Sequence, residues 1–260
     1  MSFGLRHRAD RVPVALIAGG VLLALLPFAA RRPLSLPALV TLGLVSLALR
    51  VITPVHQHVH AHHKLFGSAL LNHAHDVVLM LAGGNVTAVW ELQHVHGHHR
   101  ALLTPGDDPA NSRRFTDGGR WHRVIFTLVG DFVSLADSVR IARKQKRPGA
   151  WLLRLGLQTA VQLGAITALL VLDWRLALAL FVVRQLLLRW SVFYFSYAQH
   201  HDMPNHDVYS SSVTHFHWSN AIFLNIGHHT AHHEKPTLHW SELPRRTAAI
   251  KHRIPDVCLQ

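Results

Sequence analysis

The chain is poor in cysteine, with one thiol, Cys258, among 260 residues. A lone thiol excludes an internal disulfide, a cysteine-based zinc knuckle and an iron–sulfur or rubredoxin-like centre built within the chain. Any metal that this protein binds must therefore be held by nitrogen and oxygen ligands.

Charged residues are also scarce. They make up 15% of the chain, whereas an ordinary soluble domain has roughly a quarter. Hydrophobic residues make up 49%, and the mean hydropathy is +0.18. The net charge of +12 is compatible with nucleic-acid binding, but the arginines lie beside apolar runs rather than among stacking aromatics. We therefore predict an anionic membrane as the partner of this charge, and no nucleic acid.

Long apolar runs predict four transmembrane helices. The first run follows a basic start, which is also typical of a signal peptide, but it is long for that role, and a second run follows after the short link RRPLS. We therefore expect two hairpins. The positive-inside rule places the basic N-terminus, residues 100–147 and the tail after residue 234 in the cytoplasm, as four crossings require. The predicted spans are residues 12–30, 36–53, 150–173 and 174–199.

Two shorter segments, residues 68–90 and 123–139, mix apolar residues with aspartate or histidine. We expect them to form helices at the membrane interface or packed over the hairpins. The sequence thus predicts an all-α integral membrane protein, a single domain over residues 1–260 with four transmembrane helices in two hairpins. A helical cytoplasmic cap would come from residues 54–147 and 200–260.

Histidine is unusually abundant, with 24 residues, and much of it lies in three crowded patches. Residues four apart on a helix share one face, so His58 and His62 present two imidazoles to one metal. The register His56 with His60 fits the same spacing.

The other two patches repeat this pattern with an adjacent pair. His94 and His98 are four apart and His99 follows, while His229, His232 and His233 supply spacings of three and four. Adjacent histidines do not readily bind the same ion, so these pairs indicate two neighbouring metals. Imidazole sites without thiols suit iron, copper, zinc or nickel. The alternative is a flexible metal-binding surface, but three patches on one predicted side of the membrane favour a single site.

The three patches, in this order and between two hairpins, resemble the histidine boxes of the membrane-bound fatty acid desaturase/hydroxylase superfamily. HVHAHHKLFGSALLN resembles the first box, with Phe66 and Asn72 after the paired histidines, and this selects His58 and His62. HVHGHHRALLTPGDDP resembles the second box. GHHTAHHEKPTLHWSELP resembles the third box of bacterial acyl-lipid desaturases. The resemblance covers about residues 36–250.

The segment SYAQHHD resembles the place where that superfamily recruits a ninth ligand, which implies His200. Ser196 stands where some relatives have an asparagine that holds water. The full ligand set implied by the resemblance is His58, His62, His94, His98, His99, His200, His229, His232 and His233. Candidates for supporting these ligands are Asp76, His96, Asp107, Asp108, Ser196 and Asn225.

The resemblance implies two iron ions as cofactor, O2 as co-substrate and a lipid acyl chain as substrate. Because the chain has no haem motif or cysteine cluster of its own, an external electron donor is expected: a ferredoxin, a rubredoxin or a cytochrome b5-like protein. We expect a multi-pass protein of a bacterial inner membrane with its active site on the cytoplasmic side. Desaturation of the acyl chain is the leading hypothesis. The alternatives are a hydroxylase or ketolase of an alkyl, sterol-like or carotenoid lipid, and a histidine-rich metal transporter or sensor.

Overall fold

The computed structural model describes residues 4–30, 34–115 and 118–260. Within these residues there are helices, turns and isolated β-bridges, but no β-strand. The chain divides into two compact units, residues 1–57, 64–88 and 147–189 in the first and residues 58–63, 89–146 and 190–260 in the second. The α-helices are α1 (Arg11–Ala30), α2 (Leu36–Arg50), α3 (Thr53–His62), α4 (Ala69–Gly83), α5 (Thr87–Trp90), α6 (His99–Ala101), α7 (His122–Arg143), α8 (Pro148–Ala177), α9 (Val183–His200), α10 (His229–Glu234) and α11 (Leu243–Ile250).

Within the described residues, three helical stretches are long and apolar enough to cross a membrane: Arg8–Ala30, Leu36–His62 and Pro148–His200. The third has 53 residues, about twice what one crossing needs. The sequence predicted two spans there, with the boundary after residue 173. The structure interrupts the stretch at that place, because Asp173 has non-helical angles (φ −160°, ψ 102°). Its carboxylate accepts hydrogen bonds from the backbone N–H groups of Arg175 and Leu176, at 2.9 and 3.1 Å, and so caps the start of the second arm.

The chain reverses direction at this cap. Gln162 donates its amide hydrogen to Oε1 of Gln185 at 3.2 Å, although a continuous helix would separate two such residues by roughly 35 Å. Both arms contribute to the apolar core of the first unit, in which Leu169 and Phe181 pack with Ala24 of α1. The second predicted hairpin therefore exists as a fold-back of the chain.

The first predicted hairpin is also a close pair of helices. Ser46 of α2 donates its hydroxyl hydrogen to the carbonyl of Gly20 in α1 at 3.0 Å. Gly20 is needed there, because a Cβ would lie 2.7 Å from the side chain of Arg50. Residues 31–33 of the predicted link lie outside the described residues.

Two arginines, Arg50 and the half-buried Arg184, connect helices of this unit. Arg50 is fully buried and donates to the carbonyl of Leu180 at 2.7 Å, within a π-helical turn that joins α8 to α9. Arg184 donates to the carbonyl of Gly43 at 2.9 Å. Unpaired guanidinium groups in an apolar layer are costly, and main-chain carbonyls accept hydrogen bonds from both arginines here.

The segments predicted as intermediate helices are α4 and α7. In the first unit, α4 begins at Ser68, whose hydroxyl caps the N–H of Leu71, and ends at Gly84 with φ 80°. In the second unit, α7 packs on the helical stretch of the second box, where Gly97 meets Ile141. The rest of the second unit's core lies under α10 and α11, and includes Tyr209, Ala231, Leu243, Ile250 and Ile254.

Candidate metal centre

The predicted ligands converge in the second unit. Eight of the nine histidines form two groups, and within each group the ligand nitrogens lie within 4.8 Å of one another. The two groups are His58, His62, His94 and His232, hereafter the first group, and His98, His200, His229 and His233, hereafter the second group.

The first box contributes both of its predicted ligands to the first group. The His58 and His62 rings follow one another along α3, with centroids 5.1 Å apart. Neither His56 nor His60, the alternative register, is a member of the two groups. His56 lies in the first unit, where its ring is 5.4 Å from that of His75. Because α3 is a regular α-helix, residues four apart share a face, and His58 and His62 lie together as the sequence predicted.

The second box differs from the prediction. Residues Glu91–His98 form a π-helical stretch, in which residues five apart share a face because its hydrogen bonds span five residues. His94 consequently meets His99, with their Nε2 atoms 3.0 Å apart. His98 belongs to the second group, so the structure places His94 and His98 in different groups, whereas their spacing of four predicted a shared one.

The third box divides its histidines in a similar way. His229 and His233, four apart on α10, have Nε2 atoms 3.2 Å apart. His232 turns to the first group, where its Nε2 lies 3.0 Å from those of His58 and His99. His99 thus contacts two members of the first group.

The helix α9 ends at His200, the predicted ninth ligand. Its Nε2 lies 3.1 Å from Nε2 of His229. Its Nδ1 lies 2.9 Å from the carbonyl oxygen of Ser211, and since a carbonyl only accepts, Nδ1 must carry the hydrogen. The lone pair of neutral His200 is therefore on Nε2, facing the group.

Asp108 fixes His98 in the same manner. Its carboxylate lies 2.9 Å from Nδ1 of His98 and also accepts from the N–H of Ala110 at 2.8 Å. Burial alone raises the pKa of Asp108, but His98 and the backbone N–H groups of Ala110 and Leu103 outweigh it, so that the pKa lies below its usual value. The ionised carboxylate accepts the Nδ1 hydrogen and leaves the Nε2 lone pair of His98 for a metal.

Hydrogen bonds alone do not satisfy the second group when its rings are neutral. The Nε2 contacts run from His98 to His233 (3.3 Å), from His233 to His229 (3.2 Å) and from His229 to His200 (3.1 Å). Both ends of this chain are acceptors. Three consecutive contacts cannot then alternate donor and acceptor, and at least one pair is mismatched. A cation among the four lone pairs removes the conflict.

The first group also has nitrogen left for a metal. Among the described residues, Nε2 of His62 is buried and has no hydrogen-bond partner. Burial, followed by repulsion from neighbouring imidazoles, holds the pKa of His94 and His232 well below 6.5. The pKa values of His229 and His233 are lowered in the same way. The two groups consist of neutral imidazoles, with no thiolate or carboxylate among their members. Such ligands suit iron, and they also suit copper, zinc and nickel.

The other predicted supporting residues lie in varied places. Asp76 is in the first unit, 3.4 Å from Arg154. Asp107 is exposed and pairs with Lys144 at 3.1 Å. Ser196 is half-buried one turn before His200, His96 is half-buried in the π-helical stretch, and Asn225 donates to the carbonyl of Trp240 at 3.2 Å. Asp108, among these candidates, contacts the predicted ligand His98 directly.

Sequence reasoning missed several residues of this site. Trp90 packs edge-on against His58 and His94, with ring centroids 5.6 and 5.3 Å apart. Glu234, directly after His233, forms a double hydrogen bond with Arg246 and so fastens α10 to α11. Trp90 could have been found from the sequence, because it lies four residues before His94 and so shares a helical face with it. No local sequence pattern pairs Glu234 with Arg246.

An open depression lies beside the first group. Its lining includes His58, His62 and His232 of the first group, two further histidines, and a set of largely apolar side chains: Val59, Leu224, Ile226, Pro236, Leu238, Trp240 and Leu243. One side of the first group is therefore lined by hydrocarbon rather than by charge.

Comparison with known proteins supports the resemblance seen in the sequence. The family model described as fatty acid desaturase matches residues 31–260, which include all nine histidines. A comparison with curated protein sequences finds no match.

Proposed function

Because the chain belongs to the fatty acid desaturase family, we propose that it is an O2-dependent di-iron oxidoreductase that introduces a double bond into a lipid acyl chain. The observation that supports this proposal best is the convergence of two groups of four histidines, with His99 in contact with the first. When bound, two irons would supply the oxidant that an unactivated C–H bond requires, since such a bond offers no acidic or basic handle.

The protein's own contribution is to hold the imidazoles neutral and oriented. Asp108 and the carbonyl of Ser211 keep the Nε2 lone pairs of His98 and His200 directed inward. The helix types of the second and third boxes divide adjacent histidines between the groups. Burial of the rings excludes water, which protects a reactive centre from side reactions.

The reaction needs electrons from outside the chain. Removing two hydrogens from the acyl chain while reducing O2 to two waters consumes two further electrons and two protons. The single cysteine excludes a cysteine-ligated cluster within this chain, so we propose an external ferredoxin, rubredoxin or cytochrome b5-like donor. A basic surface suits an acidic carrier of this kind.

We further propose four crossings with the histidine boxes on the cytoplasmic side of a bacterial inner membrane. The fold-back at Asp173 divides the longest helical stretch into two arms, each of a length that suits one crossing. The helix α7 supports an interfacial position, because it buries Asp131, Ser134 and Asp137 while Phe132 is 88% exposed. A helix that hides polar groups and exposes apolar ones is stable where that face meets lipid.

Metal analysis and lipid profiling together test the proposal. We expect purified protein to bind two irons per chain and cells that express it to contain lipids lacking two hydrogens. His232→Ala should abolish the product while leaving the protein in the membrane, and His252→Ala, at an exposed position, should match the wild type. A gain of one oxygen in the lipid would instead show a hydroxylase or ketolase, and a protein that binds zinc alone would refute the oxidase chemistry.

A further inference from the structure

A second cluster of polar and aromatic side chains lies in the second unit, outside the nine predicted ligands. It is built from α7, the end of α9 and the segment before α7. Its rings contact one another: His122 lies 5.3 Å from Tyr197 and 5.0 Å from His201, and Tyr197 stacks on His201 at 4.2 Å with an interplanar angle of 23°.

The hydrogen bonds of His122 give Tyr197 a proton acceptor. Nε2 of His122 lies 2.7 Å from the carbonyl oxygen of Ser112, which only accepts, so Nε2 carries the hydrogen of the neutral ring. Nδ1 is then the acceptor. The hydroxyl of Tyr197 lies 3.4 Å from it, a long contact of the kind that shortens when a site becomes active.

The cluster extends to the surface through His201. Its Nε2 lies 3.1 Å from the carboxylate of Asp202, which only accepts, so Nε2 carries the hydrogen of the neutral ring. Nδ1 then accepts the hydroxyl hydrogen of Ser112, 2.9 Å away. Asp202 is exposed and pairs with exposed Arg113 at 3.1 Å. Side chains in contact therefore lead from solvent to the ring of Tyr197.

The inner end of the cluster adjoins the metal centre. Tyr197 precedes His200 by three residues on α9, which puts their Cβ atoms about 5–6 Å apart. His201, on which Tyr197 stacks, is the chain neighbour of His200. The phenol is thus close to a predicted ligand without belonging to the ligand set.

We propose that Tyr197 is a redox relay of this protein, with His122 as its proton acceptor. This inference rests on the proposed iron chemistry. With metal bound at the histidine site and oxidised by O2, the phenol would lose one electron to that site while its proton moves to Nδ1 of His122, leaving a neutral tyrosyl radical and an imidazolium. One electron from the external donor then reduces the radical, and the proton returns from His122 to the phenolic oxygen.

Such a relay has a clear use in an enzyme that oxidises C–H bonds. When no lipid is bound, an oxidised centre reacts with the side chains around it. A phenol with its own proton acceptor gives up an electron more readily than neighbouring aliphatic groups. Because the other end of the cluster is exposed, the external donor can reach it and reduce the tyrosyl radical. Tyr197 therefore protects the centre during turnover without substrate.

Electron paramagnetic resonance tests the assignment directly, because the chain has three tyrosines. Iron-loaded protein without lipid is exposed to O2 and a chemical reductant, then frozen. We expect an organic radical whose hyperfine pattern changes when ring-deuterated tyrosine is incorporated. Tyr197→Phe should abolish it, and Tyr194→Phe should retain it. His122→Phe, which keeps a ring but removes the proton acceptor, should lower its yield several-fold.

The iron content of each variant, measured on the same samples, separates a lost relay from a lost metal site. Tyr197→Phe with normal iron should also collect more oxidised side chains near the site, seen by peptide mass spectrometry. A radical that persists in Tyr197→Phe, or one that ignores deuterated tyrosine, overturns the relay. If iron-loaded protein desaturates lipid and forms no organic radical, the relay is wrong and the proposed function stands.

Discussion

The second and third histidine boxes each bring their first and last histidines together, but they do so with different types of helix. In the second box the outer histidines, His94 and His99, are five residues apart, and in the third box His229 and His233 are four apart. Both outer pairs nevertheless place their Nε2 atoms 3.0–3.2 Å from each other. The π-helical stretch absorbs the extra residue of the second box, whereas α10 is a regular α-helix.

The middle histidine of each box is directed to the opposite group. His98 joins the second group and His232 the first, so each box serves both groups. The spacing of histidines in the sequence therefore predicts which of them share a helical face only when the hydrogen-bond pattern of the helix is known. A π-helical turn, frequent at functional sites, changes that pattern.

Removal of one ligand from each group should have the largest effect. We expect His94→Ala to remove the metal of the first group and His233→Ala that of the second, and either change should reduce turnover to background. Metal analysis by mass spectrometry reads the loss, about one ion per chain in each case, and exposed His217→Ala provides the control. Full metal content in either variant would contradict the grouping.

Lengthening the third box should be almost as damaging. One alanine inserted between Thr230 and Ala231 puts the outer histidines five apart, and on an α-helix this turns the later ring by about 100°. We expect loss of the second group's metal and of turnover, measured on the purified protein. An alanine inserted between exposed Lys146 and Arg147 should preserve metal content. If the lengthened box keeps its metal, helix type is not what distinguishes the boxes.

Substitutions of Asp107 and Asp108, the two adjacent aspartates after the second box, form a matched pair. We expect the larger of their two effects to be smaller than that of losing a ligand. Asp108→Asn lets an amide N–H face Nδ1 of His98 and favours the wrong tautomer, so we expect metal affinity to fall about 10–100-fold. Asp107→Asn should leave affinity unchanged, since that carboxylate is exposed and pairs with Lys144. Competition with a chelator measures both. Equal affinities would show that Asp108 does not orient the ligand.

The smallest expected effect concerns the packing of the π-helical stretch. A Cβ at Gly97 would lie 3.0 Å from Ile141 and 3.1 Å from Pro109, so Gly97→Ala forces a small shift of α7 or the loop. We expect a loss of about 1 kcal/mol in stability and slightly lower metal content, measured by thermal unfolding in detergent. Gly149→Ala, with open space around its Cβ, should be neutral. Equal unfolding temperatures would mean that the second box is not tightly held.

Much of the fold followed from local patterns. Apolar runs predicted the helices of both hairpins, and Asp173 was the boundary between the last two. The helix predicted over residues 123–139 corresponds to α7, whereas the one predicted over residues 68–90 is divided at Gly84 into α4 and α5. The number of crossings and their sidedness stay predictions, since they depend on a membrane.

The sequence by itself predicted the type of chemistry: one cysteine excludes sites built from several thiols, and three histidine boxes, with His200 implied by the family resemblance, offer an all-nitrogen set of candidate ligands. The tertiary structure decided which rings act together. It placed His58 and His62 in the first group, put His94 and His98 in different groups, and brought Asp108 to His98 and the carbonyl of Ser211 to His200. The physical reason is that every histidine brings the same ligand nitrogens wherever it lies in the chain, so residue types alone predict the kind of metal site. The direction of those nitrogens depends on helix type and on hydrogen bonds from residues distant in the chain.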